Sequence, residues 1–337
     1  MNHYQTGKIF AVAPMIDWTD RHCRFLHRQL SKKALLYTEM VVADAIIHGP
    51  RERLLSFSEV EHPVALQLGG SDAGKLVQAI EIAAGYGYDE INLNVGCPSD
   101  RVQSGTFGAC LMRDPAHVAH LVAAMKRVST VPVTVKCRIG VDDQEPQEVL
   151  PEFLARVIGA GADAVWIHAR KAWLQGLSPK ENREVPPLDY PLVYAMKREN
   201  PDVFIGINGG ITDLAQAAKH LEVMDGVMLG RAAYYNTGLL AGVDAMLSGD
   251  ADPSPAEPDW LTLRDSMMAY AESVIGTGGR LNHVTRHMVG LFQGYAGARR
   301  FRQILSSEAT RPGAGPEVIA AAFDVVDIQA GQKMLAG

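Results

Sequence analysis

The sequence predicts an α/β protein, a (β/α)8 TIM barrel followed by a small C-terminal helical bundle domain, and three observations carry that prediction. First, eight short runs rich in Val, Ile and Leu, bounded by Gly, Pro or Asp, recur at intervals too long for hairpins, with amphipathic helical stretches between most of them. Eight such units in about 230 residues match the count and length of a closed parallel barrel. Second, polar residues collect at the C-terminal ends of the runs, the face on which such barrels build their active sites. Third, the chain contains no G-x-G-x-x-G and no G-x-x-x-x-G-K-[ST], the phosphate loops that an open doubly wound sheet normally shows.

In order, the runs are 9–15, 35–40, 63–69, 90–96, 132–139, 164–170, 203–209 and 226–231. The first leads into Ala13-Pro14-Met15-Ile16-Asp17-Trp18, where an open sheet would place its glycine loop. The second reaches Glu39, the third carries Gln67, the fourth Asn92 and Asn94, the fifth Lys136 and Arg138, the sixth His168 and Arg170. Asn208 and Arg231 close the seventh and eighth. Interior strand positions must be apolar to pack, so these polar side chains are expected to point toward one mouth. Two connections, 97–114 and 171–190, are longer than scaffolding requires and read as functional loops. After the eighth run and a helical stretch, an acidic, proline-rich segment at 248–258 reads as a linker. The expected division is therefore a barrel at 1–247 and a helical domain at 259–337. Within that tail Trp260, Leu263, Met267, Ala271 and Val274 repeat at helical spacing, as do Val284, Met288, Leu291 and Phe292.

Composition narrows the function classes. A hydrophobic fraction of 47% with 21% charged residues over 337 residues is that of a globular protein with a sizeable core, and excludes disordered and collagen-like chains. No apolar run approaches the ~18 residues that span a bilayer, and the first ten residues lack the pattern of a signal peptide, so a cytoplasmic location is expected; a monomer is the separate expectation for its assembly. The four cysteines form no Cys-x-x-Cys pair, which argues against a disulfide framework and against a metal site. The net charge of −6 hides a local asymmetry. Residues 273–307 contain five arginines and no Asp or Glu, so that run carries +5 and the rest of the chain −11. On a helix Arg299 and Arg302 share a face, while Phe301, Ile304 and Leu305 lie roughly opposite and can pack inward. The arginines then face outward, as phosphate-backbone contacts do.

Three groups of residues can carry chemistry. Asn208-Gly209-Gly210 leaves the seventh strand toward Thr212 and Asp213, which suit a helix N-cap, and Gly230-Arg231 ends the eighth; strands seven and eight form the usual phosphate site of such barrels. Lys136 and His168, with Gln67 and Asn94 at neighbouring strand ends, form a lining for a planar heterocycle; a lysine paired to Glu39 is the plainer alternative. Cys97, at the exit of the fourth strand, sits on the catalytic rim with no base adjacent to it in sequence. Thiols in general titrate at about 8.5 and are largely protonated at pH 7, which favours an acid role over a nucleophile.

Ala13-Pro14-Met15, Asn94-Val95-Gly96-Cys97-Pro98-Ser99, Lys136-Cys137-Arg138, Ile167-His168-Ala169-Arg170, Asn208-Gly209-Gly210 and Gly230-Arg231 together resemble the tRNA-dihydrouridine synthases, and the stretches at 17–24, 95–112 and 168–190 resemble the A-type subfamily. The resemblance implies an FMN enzyme in which NADPH reduces the flavin and a hydride passes to C6 of a D-loop uridine of tRNA, at position 20 or 20a in that subfamily's pattern, while a cysteine protonates C5. Carried over by position, Cys97 is the proton donor and Asn94 lies beside the substrate base. Pro14, Met15, Ile16, Gln67, Lys136, His168, Asn208, Gly209, Gly210, Gly230 and Arg231 then hold FMN. Lys180, Arg183, Arg299 and Arg302 match tRNA-contacting positions. Ala232, Thr237 and Cys137 depart from the family pattern, away from the chemistry. Two other enzyme classes fit the same barrel: an FMN oxidoreductase of a free pyrimidine, of the dihydroorotate dehydrogenase kind, and a flavin-free lyase or isomerase of a phosphorylated substrate with Lys136 as a Schiff-base lysine. A non-enzymatic RNA-binding scaffold is the third alternative.

Overall fold

The structure, a computed structural model, describes residue 4 and residues 7–99, 107–249 and 258–328. Among them nine parallel strands form one sheet: β1 (Ile9–Val12), β2 (Leu35–Tyr37), β3 (Val41–Val42), β4 (Val64–Gly69), β5 (Glu90–Val95), β6 (Val133–Arg138), β7 (Ala164–His168), β8 (Phe204–Asn208) and β9 (Gly226–Leu229). β1 pairs with β9 and β2, and β2 pairs with β4, which closes an eight-stranded barrel. The expected barrel is therefore present, with one change. The run at 35–40 forms a strand only over β2, and the separate two-residue β3 follows it, pairing Val41 with Leu68 and Val42 with Gly69. Thr38 marks the break: its hydroxyl accepts from Gln67 N at 3.1 Å and donates to Glu39 O at 2.7 Å, so a side chain replaces a backbone acceptor in the ladder.

Successive strand residues alternate between the barrel interior and the surrounding helices. Tyr4, Ile9, Ala11, Ala13, Leu35, Tyr37, Ala65, Ala164, Trp166, Phe204 and Met228 form the interior cluster. Its size is set by one residue. The Trp166 ring lies across β8 and β9, where a Cβ at Gly206 would come within 2.2 Å of Trp166 and one at Gly226 within 2.6 Å. Side chains at those two positions are excluded by packing.

The helices outside the strands begin at side-chain caps that the sequence supplies. Asp72, Asp114, Asp189 and Asp213 accept from the amides of Lys75, His117, Leu192 and Gln216, and Pro occupies the first turn of helices Pro115–Val128 and Tyr190–Glu199. Asp213 is the cap expected after the Gly209-Gly210 turn.

The chain divides into two compact units, and the division differs from the expected one. The barrel unit comprises 1–17 and 35–230; the second comprises 18–34 and 231–337. The helix Arg21–Leu30 thus belongs with the tail, because Leu26 is buried in the tail's core with Trp260, Met267, Phe292, Phe301 and Phe323. Residues 231–247 also belong to the second unit, whereas most of the expected linker, 250–257, lies outside the described residues. Helix Trp260–Gly276 buries Trp260, Leu263, Met267 and Ala271, as the spacing predicts. The next repeat is not one helix. It is the short helix Leu281–Thr285 and a single turn at Met288–Gly290, where a Cβ on Gly290 would lie 2.7 Å from Tyr234 O.

Candidate active site

The mouth of the barrel is built from consecutive strand ends. Ladder pairing sets Asn94 beside Lys136, Arg138 beside His168, and His168 beside Asn208. Lys136 Nζ donates to Asn208 Oδ1 at 3.1 Å, not to Glu39, and Asn208 Nδ2 donates in turn to Met228 O at 2.7 Å. Burial, then the neighbouring Arg138 charge, pushes the Lys136 ammonium down to about 8. His168 is held well below the ordinary imidazole value, by burial first and then by Arg138 and Lys136, so it is neutral at pH 7. Its Nδ1 is buried and has no hydrogen-bond partner among the described residues. A buried ring nitrogen left open at a mouth is suited to a ligand.

Asn208 leads into Gly209 and Gly210, whose φ values of 111° and 73° are ones only glycine adopts freely. Tyr190 O–H donates to Gly209 O at 2.6 Å and fixes this turn, and a Cβ at Gly209 would stand 3.1 Å from the His168 ring. Pro14, Met15 and Ile16 follow β1, with the end of that segment tied by the Asp17 amide to Glu39. Gly230 is the last residue of the barrel unit and Arg231 opens helix Arg231–Tyr235 of the second.

Cys97 is half-buried and its backbone is held on both sides. Its amide and that of Gly96 donate to Asn94 Oδ1 at 3.0 and 3.1 Å, and its carbonyl accepts from Ala109 N at 2.9 Å. Its Sγ lies 3.4 Å from Ser99 Oγ. Asn94 Nδ2 donates to Gln67 Oε1 at 2.8 Å, so two residues expected to touch different partners are parts of one network.

Arg138 is the residue whose role sequence reasoning missed. Buried, and lowered to about 10 by that burial, it donates to Gly96 O at 2.9 Å, Lys171 O at 3.0 Å and Asn182 O at 2.9 Å. It therefore ties the strand exit beneath Cys97 to the loop at 171–190. Asn182, fully buried, holds the same loop by accepting from Trp173 N at 2.7 Å and donating to Trp173 O at 2.8 Å. This leaves Lys180 exposed and Arg183 half-buried on a single turn of helix. Arg170 turns to the same loop and donates to Pro186 O. In the second unit, helix Ala298–Ser307 buries Phe301, Ile304 and Leu305 and exposes Arg299 and Arg302. Those two arginines are not part of the barrel mouth's unit.

The family model of the dihydrouridine synthases (Dus) matches residues 11–326. The chain belongs to the dihydrouridine synthase family. Among its relatives, the tRNA-dihydrouridine(20/20a) synthase of Xanthomonas campestris pv. campestris is 55% identical over 327 residues, covering 97% of this chain and 96% of that protein. The protein of the same name from Escherichia coli K12 is 55% identical over 318 residues, covering 94% and 91%. Morphinone reductase superposes with a TM-score of 0.51 over 76% of this chain and 88% of its own, at 14% identity, which bears on the fold alone. Family membership places the matched segment across both compact units, so the helix Arg21–Leu30 and the helical tail belong to the family architecture as much as the barrel does. Among the described residues no helix is long and apolar enough to cross a membrane.

Proposed function

We propose that this protein reduces uridine to 5,6-dihydrouridine in the D-loop of tRNA, at positions 20 and 20a, with FMN as its bound cofactor and NADPH as reductant. The observation that carries the reading is the 55% identity, along 97% of the chain, to a protein named for that product and those positions. The mouth fits the cofactor. His168 Nδ1 is a buried polar atom open to a ligand, Lys136 is a half-buried cation suited to an electron-rich ring, and the left-handed Gly209-Gly210 turn leaves no side chain to obstruct a phosphate. When bound, the flavin supplies the hydride that adds to C6 of the uracil ring.

The chain's own residues do the rest. Hydride addition builds negative charge at C5 and O4, and the Cys97 thiol donates the proton that C5 takes up. General acid catalysis of this kind is typically worth ~10²–10⁴-fold. Asn94 and Ala109, by holding the Cys97 amide and carbonyl, keep the thiol on the rim. Neutral His168 offers one ring N–H and accepts at the other nitrogen. A uridine inside folded tRNA must be extruded to reach the mouth, as base-modifying enzymes require. Lys180 and Arg183, with Arg299 and Arg302, hold the phosphate backbone while that happens.

The test is anaerobic rapid mixing. The purified protein should be yellow, NADPH should bleach it, and unmodified tRNA should restore the colour, with dihydrouridine found at 20 and 20a by mass spectrometry. A colourless, well-folded protein, or bleached protein that tRNA leaves bleached, refutes the reading.

A further inference from the structure

The floor of such a barrel is normally filled by Val, Ile and Leu. Here β5 places Glu90, Asn92 and Asn94 along its interior face, and Glu90 is fully buried. A buried carboxylate is costly unless donors surround it, and three hydroxyls do. Tyr4 O–H donates to Glu90 Oε2 at 2.5 Å, Tyr37 O–H donates to Oε1 at 2.6 Å, and Thr134 O–H donates to the same oxygen.

From Thr134 a single file of hydrogen bonds climbs to the mouth. Asn92 Nδ2 donates to Thr134 Oγ1 at 2.7 Å, Gln67 Nε2 to Asn92 Oδ1 at 2.8 Å, and Asn94 Nδ2 to Gln67 Oε1 at 2.8 Å. The Gly96 and Cys97 amides then donate to Asn94 Oδ1. All four intermediate side chains are buried, none more than 8% exposed. The direction of the file is fixed from both ends. A carboxylate only accepts, so Thr134 must donate downward and offer its lone pair to Asn92; a backbone amide only donates, so Asn94 must turn its oxygen to Cys97. Reversing any one amide would set N–H against N–H in a buried site, so the file holds one polarity or breaks.

We propose that Glu90, acting through Thr134 and Asn92, is a positioning residue for Cys97: its carboxylate anchors the lower end of the file that holds the Cys97 amide. The proposal deepens the functional reading above and rests on it for what Cys97 does.

The decisive variant is Thr134→Val, nearly isosteric but unable to link the carboxylate to the amides, with Thr134→Ser as the conservative control. In flavin-loaded Thr134→Val, reoxidation by tRNA should slow about tenfold while reduction by NADPH stays within about twofold, since one buried donor loses its partner. Thr134→Ser should restore most of the rate. A second readout needs neither cofactor nor turnover: alkylation of Cys97 by iodoacetamide, followed by peptide mass spectrometry without tRNA, should accelerate severalfold in Thr134→Val and remain at the wild-type rate in Thr134→Ser. Glu90→Gln, whose amide can donate as well as accept, should reproduce both effects and serves if Thr134→Val does not fold. Wild-type alkylation and tRNA rates in these variants, or equal slowing of both half-reactions, would overturn the proposal. Wild-type protein that tRNA does not reoxidise would instead refute the functional reading, and the alkylation rates would still decide whether the file positions Cys97.

Discussion

Replacing Arg138 by Met tests whether one buried guanidinium holds the site together. The methionine keeps most of the apolar stem and removes the donors to the carbonyls of Gly96, Lys171 and Asn182, at 2.9, 3.0 and 2.9 Å. Hydrogen bonds from a charged group contribute about 1.5–3 kcal/mol each, so the three together contribute roughly 4.5–9 kcal/mol. Removing the charge also returns its desolvation. Burial holds Arg138 below its ordinary value, at about 10, and the desolvation of a buried ion costs several kcal/mol, taken as about 3. The net loss is about 1–6 kcal/mol, with about 3 as the central value, and at about 2–4 °C per kcal/mol the melting temperature should fall by roughly 6–12 °C. The loss should be concentrated where the bonds were. Trypsin should cut after Lys180 and Arg183 faster than in the wild type, because the loop at 171–190 loses its tie to the strand exit beneath Cys97. Circular dichroism melts and timed digests followed by mass spectrometry measure both effects. A melting temperature within about 2 °C of wild type, with unchanged cleavage, would show that the guanidinium is not what joins strand to loop.

Other outcomes follow from the same geometry. Cys97→Ala should leave flavin reduction by NADPH intact and slow reduction of tRNA by ~10²–10⁴-fold in rapid mixing, and equal loss in both steps would make the residue structural. Gly209→Ala sets a methyl 3.1 Å from the His168 ring at a φ of 111°, a strain of about 1–3 kcal/mol, so the purified variant should retain less flavin by absorbance. Arg299→Glu with Arg302→Glu should weaken tRNA binding and flatten its logarithmic salt dependence by about 1 per lost phosphate contact, with flavin content unchanged; a wild-type slope in filter binding would remove the tail from the RNA interface. Acid should destabilise the second unit. Burial, the largest cause, pushes His22 down to about 4 and His27 down to about 3. Between those values and the unfolded value of about 6.5 the unfolded state binds protons that the folded state refuses. Stability is therefore fully present above pH 6.5 and lost as pH falls through that window, at up to about 1.4 kcal/mol per pH unit for each histidine. Melting temperatures recorded across the window should fall less steeply for His27→Gln, and parallel curves would exclude His27 as a contributor.

Most of the strands, the polar strand ends and the outward arginines are legible in the sequence, because each is written locally. A buried strand needs a few consecutive apolar residues, a strand end that carries Lys136 or His168 has no apolar reason to do so, and Arg299 and Arg302 fall outward once Phe301, Ile304 and Leu305 fall inward. The partners of these side chains come from the folded barrel. Lys136 on β6 meets Asn208 on β8 across 72 residues, over the intervening β7, and Arg138 meets Asn182 in the loop after β7 across 44, because the curved sheet and not chain proximity brings these strand ends together. Helix Arg21–Leu30 lies between two barrel strands in the chain, yet Leu26 is buried in the tail's core. Glu90, Asn92 and Asn94 were visible as three polar residues alternating on one strand, but whether they would be a defect or a file depended on Thr134, Gln67 and Tyr37 arriving from three other strands. Periodicity specifies which face of an element is buried; only the closed barrel specifies what that face is buried against.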